Sequence, residues 1–173
     1  MQVTGPNGQA MGVDENSRGE VIATFLGEIE YESGKTGQAY AYASTYSATS
    51  GDAVLGLLNP TADGRKFYAT QVILGSAGAG SLRVSFATGT PAAGAVTAAA
   101  LHAGLEPTQP GTVHGGIAVT GLTEAAKIAY VVLAASTSIA VDLRGTILEP
   151  GKVLAVYTGV SAVIYVSLFG YWR

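Results

Sequence analysis

From Val21 onward the apolar residues of this chain arrive in strand-length runs punctuated by glycine, proline, asparagine and serine. Residues 21–31, 38–46, 53–58, 67–74, 82–87, 112–119, 127–133, 138–143, 152–158 and 162–172 are rich in Val, Ile, Thr, Tyr and Phe. Such runs are too short for stable helices and carry the side chains that suit a pleated, half-buried surface. Residues 67–74 alternate in part, as a strand with one buried face should. Asn59-Pro60-Thr61-Ala62-Asp63-Gly64 and Gly75–Gly80 read as connections, with Pro fixing φ and Gly permitting φ > 0. About ten short strands at this spacing predict an all-β chain, a β-sandwich or jelly roll. Two stretches, 92–105 and 122–135, stay open between helix, strand and loop. The first is alanine-rich but broken by Gly94 and Gly104.

The polar composition constrains function. Charged residues make up 12% of the 173, against about 25% in an ordinary soluble domain. The net charge is −3 and no Cys is present, so neither a disulfide framework nor a thiolate metal site is available. An apolar chain without basic excess fits neither a disordered segment nor a nucleic-acid binder. The charges are also unevenly placed. Asp14, Glu15, Glu20, Glu28, Glu30 and Glu32 are half of the 12 acids, whereas 84–123 holds only Glu106. This divides the chain into an extended polar N-terminal arm, residues 1–20, and a charge-poor sandwich domain, residues 21–173. The arm has no basic n-region or apolar h-region, so no secretory signal is expected. Residues 153–172 are uncharged and long enough for a membrane span, but their β-branched and aromatic content and the central Thr158-Gly159 favour two strands with a turn.

No constellation assembles into a catalytic, cofactor or metal site. His102 and His114 stand in the charge-poor stretch with only Glu106 nearby, a thin ligand set. Gly34-Lys35-Thr36-Gly37 lacks the upstream glycine of a phosphate-binding loop, since Ile29 stands there, and Gly75, Gly78 and Gly80 miss the dinucleotide spacing. Glu28, Glu30 and Glu32 alternate, which on a strand places three carboxylates on one face. A solvated edge is the plain meaning, a cation or acid–base site the sharper one. Tyr40, Tyr42 and Tyr46 also keep even spacing, as surface or interface residues or, with Trp172, as a platform for sugars. An enzyme would need Glu28, Glu30 or Asp142 paired with a second carboxylate across a cleft.

Four pieces resemble the jelly-roll virion proteins of tailed bacteriophages, of the capsid decoration (cement) or head-fibre type. Residues 12–19, GVDENSRG, are similar to the short arm before the first strand. AVLGLLNP at 53–60 resembles the family's strand and Asn-Pro turn. ATGTP at 87–91 resembles a mid-domain connection, and ILEPGKVLAV at 147–156 the turn and strand before the last strand. The ending departs from the pattern, with Tyr171-Trp172-Arg173 where many relatives carry an acid. The resemblance implies a homotrimer on the outer surface of the capsid, made in the host cytoplasm. It would clamp neighbouring copies of the major capsid protein and need no cofactor, nucleic acid or membrane. Contacts with the shell are expected from the arm, through Met1, Val3, Met11, Val13, Asp14 and Arg18. The alternative is a head-fibre or carbohydrate-binding module in host attachment.

Overall fold

A computed structural model describes residues 3–4, 10–11, 38–60, 62, 64–92, 94, 98–101 and 111–173. Among them every regular element is a strand and none is a helix. The strands are β1 (Val3–Thr4), β2 (Ala10–Met11), β3 (Ala39–Ala48), β4 (Ala53–Leu58), β5 (Phe67–Ser76), β6 (Gly80–Ala92), β7 (Ala98–Ala100), β8 (Thr112–Leu133), β9 (Thr137–Leu148), β10 (Val153–Thr158) and β11 (Ala162–Trp172). All ladders are antiparallel. The expected all-β sandwich is therefore present.

Two sheets make the body. One has the order β7-β3-β11-β5-β9. In the other, β4 and β6 both flank β10, and β8 pairs with β4 through its first residues and with β6 through the rest, closing the four strands on themselves. From β3 onward, the first long strand pairs with the last (β3·β11), the second with the second-last (β4·β10), then β5·β9 and β6·β8.

The main core lies between the sheets. Tyr42, Phe67, Trp172, Leu55, Leu57, Leu74, Leu82, Leu154, Ile164 and Leu168 are all essentially inaccessible. A smaller cluster of Ala53, Ala87, Val119, Val153, Ala155 and Tyr157, backed by Leu58 and Leu122, fills the far side of the closed sheet. Strand β10 is thus buried on both faces. Leu154 and Val156 join the main core while Val153, Ala155 and Tyr157 join the small one. That is why the run VLAVY shows no polar alternation.

Several sequence expectations are sharpened. The runs at 112–119 and 127–133 belong to one strand, β8, so 122–133 is extended, and β6 reaches Ala92. Residues 153–172 form β10, a turn and β11, and no helix among the described residues is long and apolar enough to cross a membrane. Within residues 1–20, where an extended arm is expected, Val3 pairs with Met11 and Thr4 with Ala10. The remainder of 1–37, including the expected strand at 21–31, lies outside the described residues, as do 102–110.

Candidate functional site

Five of the eleven described charged residues, Arg65, Lys66, Glu149, Lys152 and Arg173, gather at one end of the sandwich. There Asn59, fully buried, acts as a clasp. Its Nδ2 donates to the carbonyls of Arg65 (2.8 Å) and Leu148 (2.9 Å), and its backbone pairs with Gly151 and Lys152. Lys66 exchanges backbone hydrogen bonds with Arg173, and its ammonium sits 2.8 Å from Glu149. Hydrogen bonding to Glu149, reinforced by its charge, raises the Lys66 pKa above its ordinary value. Arg65 donates to Gln38 Oε1 at 3.0 Å, and Trp172 N donates to Gln38 O, so Gln38 is tied to this end. At the opposite end the turns at 49–52, 77–79, 134–136 and 159–161 carry one charge, Asp52, which accepts from Thr49 N at 2.8 Å.

Between these ends, the outer face of the five-stranded sheet is nearly free of charge and mixes apolar side chains with hydroxyls. Cross-strand register builds it in rows: Ala43–Ser167–Ile73–Ala140, Thr45–Tyr165–Gly75–Ser138, and Ala41–Phe169–Gln71–Asp142. Tyr165 is 50% exposed, Ile73 37% and Ile147 38%. A shallow depression of about 480 Å³ lies beside Tyr165, lined by Ile73, Gly75, Ala77 and the hydroxyl-bearing Ser136, Thr137, Ser138 and Ser167. Asp142, on the β9 edge, is ion-paired with Arg144, whose hydrogen bonds hold the carboxyl down to about 2. Further exposed apolar side chains, Tyr130 (59%) and Val132 (71%), project from β8.

A polar cluster sits on the closed sheet. Glu124 accepts from Arg83 Nε at 3.2 and 3.3 Å and from Ser85 Oγ at 2.8 Å. Burial pushes its carboxyl up, but those hydrogen bonds and the charges of Arg83 and Lys127 outweigh burial and leave the pKa below its ordinary value. The Arg83 guanidinium carbon lies 6.0 Å from the centroid of the Tyr157 ring, at the outer limit of a cation–π contact. Burial, then Glu124, raises the Tyr157 hydroxyl, while Arg83 opposes them. The cluster neutralises one carboxylate with one guanidinium, which suits a structural pair.

The sequence candidates fare differently. Tyr40 and Tyr42 are core residues, not a surface platform. Their rings stack 6.2 Å apart, Tyr42 meets Phe67 edge-on, and Phe67 lies 5.0 Å from Trp172. Trp172 Nε1 donates to Tyr42 Oη at 2.8 Å, and burial raises the Tyr42 pKa well above its ordinary value. Tyr46 is partly buried against the same core. His114 is half-buried on β8 beside Gly56. Val3 and Met11 are register partners in the β1–β2 ladder. Met1, Val13, Asp14, Arg18, Glu28, Glu30, Glu32, residues 34–37, His102 and Glu106 lie outside the described residues. No group of three or more His, Asp or Glu placed to hold a metal occurs among the described residues. The sequence reading missed the outer sheet face. Its signal was there in 162–172, where Val163, Tyr165, Ser167 and Phe169 alternate with Ile164, Val166 and Leu168, but both registers are apolar enough to be core.

No family model, curated protein or solved structure matches the chain.

Proposed function

We propose that this chain is a phage virion structural protein, a capsid decoration (cement) protein that binds the assembled shell as a homotrimer and clamps neighbouring capsomers. The observation that carries the reading is the outer face of the five-stranded sheet. It presents Tyr165, Ile73, Phe169 and Ile147 with no charge on β3, β11 or β5, the character of a surface buried by another protein. The ladders β3·β11, β4·β10, β5·β9 and β6·β8 support a jelly roll, because they are those of one antiparallel ribbon rolled over on itself. The arm, residues 1–20, reaches the major capsid protein through Met1, Val3, Met11, Val13, Asp14 and Arg18. A protein that binds only the assembled shell stabilises it by mass action, since disassembly must first break those contacts. A sugar-binding role in host attachment loses its proposed platform, because Tyr40, Tyr42 and Trp172 are buried.

The test is co-sedimentation of the purified chain with shells of the major capsid protein from its own genome. Saturable binding to shells, and none to unassembled capsid subunits, is the expected result. A chain that stays in the supernatant with intact shells would refute the proposal.

A further inference from the structure

The depression beside Tyr165 is shaped by a missing side chain. Tyr165 on β11, Gly75 on β5 and Ser138 on β9 stand in one row across the outer face. A Cβ on Gly75 would meet the Cβ of Ser138 at 3.3 Å and that of Tyr165 at 3.5 Å, so a larger residue there would fill the space between Tyr165 and β9. Glycine inside a strand weakens it and permits a close approach to the backbone. Here it leaves a notch with an aromatic wall, since Tyr165 is half exposed. The rim carries hydroxyls. Thr137 Oγ1 donates to Ala134 O, whereas the hydroxyls of Ser136, Ser138 and Ser167 have no hydrogen-bond partner among the described residues. Ser136, with φ 58°, is also the one non-glycine residue with left-handed backbone among those described. Glycine would hold that turn with less strain, and serine instead places a third hydroxyl on the rim.

We propose that this depression binds a neutral saccharide, one pyranose ring of an oligosaccharide lying against Tyr165 above Gly75 with its hydroxyls on Ser136, Ser138 and Ser167. No charged residue lines the site, and Asp142, further along β9, is already paired with Arg144, so a charged ligand finds no counterion. A pyranose has a face of C–H groups edged by hydroxyls, which matches an aromatic wall edged by serines. Serine hydroxyls both donate and accept, as sugar hydroxyls do. An apolar side chain could enter the notch, but it would cover the rim and leave those hydroxyls unpaired. An added peptide strand needs unpaired backbone, and here β11 and β5 are each laddered on both sides. The volume of about 480 Å³ falls within the range of about 300–1,000 Å³ for small-molecule sites, and its shallowness leaves room for the neighbouring units of a glycan. The site is not the platform expected from Tyr40, Tyr42 and Trp172, which are core residues. The inference does not rest on the decoration role proposed above, and a protein laid over Tyr165 and Ile73 would have to displace the sugar.

The purified full chain is titrated with cellotetraose, maltotetraose, lactose and chitotetraose, by calorimetry and by saturation-transfer NMR. At least one should bind saturably, with transfer strongest to the C–H protons of a single ring. Tyr165→Ala should lower that affinity by about tenfold, the share of one stacked ring, and Tyr165→Phe should keep it. Gly75→Val retains the ring but fills the notch, and should also lower affinity by about tenfold. If Gly75→Val does not fold, Ser138→Val narrows the same notch from an exposed position. Val132→Lys, on an exposed residue of the other sheet, should change nothing. Circular dichroism and thermal melting show that each variant keeps its fold. A native chain that binds none of the four sugars, or a Tyr165→Ala chain that binds as well as the native one, would overturn the proposal. So would a native chain that takes toluene at Tyr165 and no sugar, since the depression would then be a slot for an apolar side chain. Shell binding is measured separately, without sugar. A chain that binds sugar and ignores shells would refute the decoration role and leave this site standing, and a chain that binds shells and no sugar would do the reverse.

Discussion

At the scale of single residues, the most demanding positions are polar groups placed where water cannot reach. Asn59 is one. Its side-chain amide joins the β4–β5 connection to the end of β9, which the chain separates by 89 residues. Asn59→Ala removes both bonds and leaves two carbonyls without these donors, so a loss of about 2–3 kcal/mol is expected in urea unfolding. Asn59→Asp should cost more, since a carboxylate would face two carbonyl oxygens. Tyr42 is the second. Tyr42→Phe keeps the ring stack but takes away the acceptor of Trp172 Nε1, an indole only 1% exposed. The expected cost is about 1–3 kcal/mol, read as a lower denaturation midpoint with an unchanged slope. Gly111 supports the same indole by its lack of a side chain, because a Cβ there would collide with the Trp172 ring and crowd Leu57.

At the scale of elements, what could be read from sequence depended on whether a strand had one buried face or two. β4 and β11 have the boundaries that their apolar runs predict, because Gly51-Asp52, Asn59-Pro60 and Ser161 punctuate them. β8 was not legible as one strand. Gly115, Gly116 and Gly121 interrupt its pattern, and in the fold they are where it bends from β4 to β6. Gly121 has φ +76°, and a Cβ there would strike the Thr90 carbonyl across the ladder, so the residues that read as a break are those that allow the bend. The direction of Tyr40 and Tyr42 was hidden for a different reason. Even spacing gives a shared face but not which one, and Ala41 and Ala43 made the opposite face look equally apolar. The Arg83–Ser85–Glu124 cluster was hidden too, since its members lie 41 and 39 residues apart and meet only through the β6·β8 register. It carries a pH signature. The Glu124 pKa is lower in the folded chain than its unfolded value of 4.5, so the stability it adds is present above that value. That stability is lost as pH falls through the lower folded value. Glu124→Gln should therefore lower the urea midpoint at pH 7, and the gap from the native chain should narrow as pH is brought below about 4. A gap that stays constant down to pH 3 would mean that the carboxylate adds nothing as a charge.

At the scale of the whole molecule, the scarcity of charge resolves into geography. The sandwich is polar at one end, where Arg65, Lys66, Glu149, Lys152 and Arg173 gather around the Asn59 clasp, and nearly uncharged at the other and across the outer sheet. Gln38, where the described body begins, lies on the charged end. Under the proposed trimer, threefold symmetry places the three Gln38 residues, where each described body begins, at one level along the axis. Three arms on one rigid body also raise the local concentration of each after the first has bound, so a weak contact per arm suffices. Removing residues 1–19 should leave the trimer mass unchanged, because the role proposed for that segment is contact with the shell and not with its own copies. The same deletion should abolish co-sedimentation with shells. A monomeric form carrying the intact arm should bind shells at least a hundredfold more weakly than the trimer. Equal binding by monomer and trimer would show that the arm acts singly and that assembly serves some other purpose.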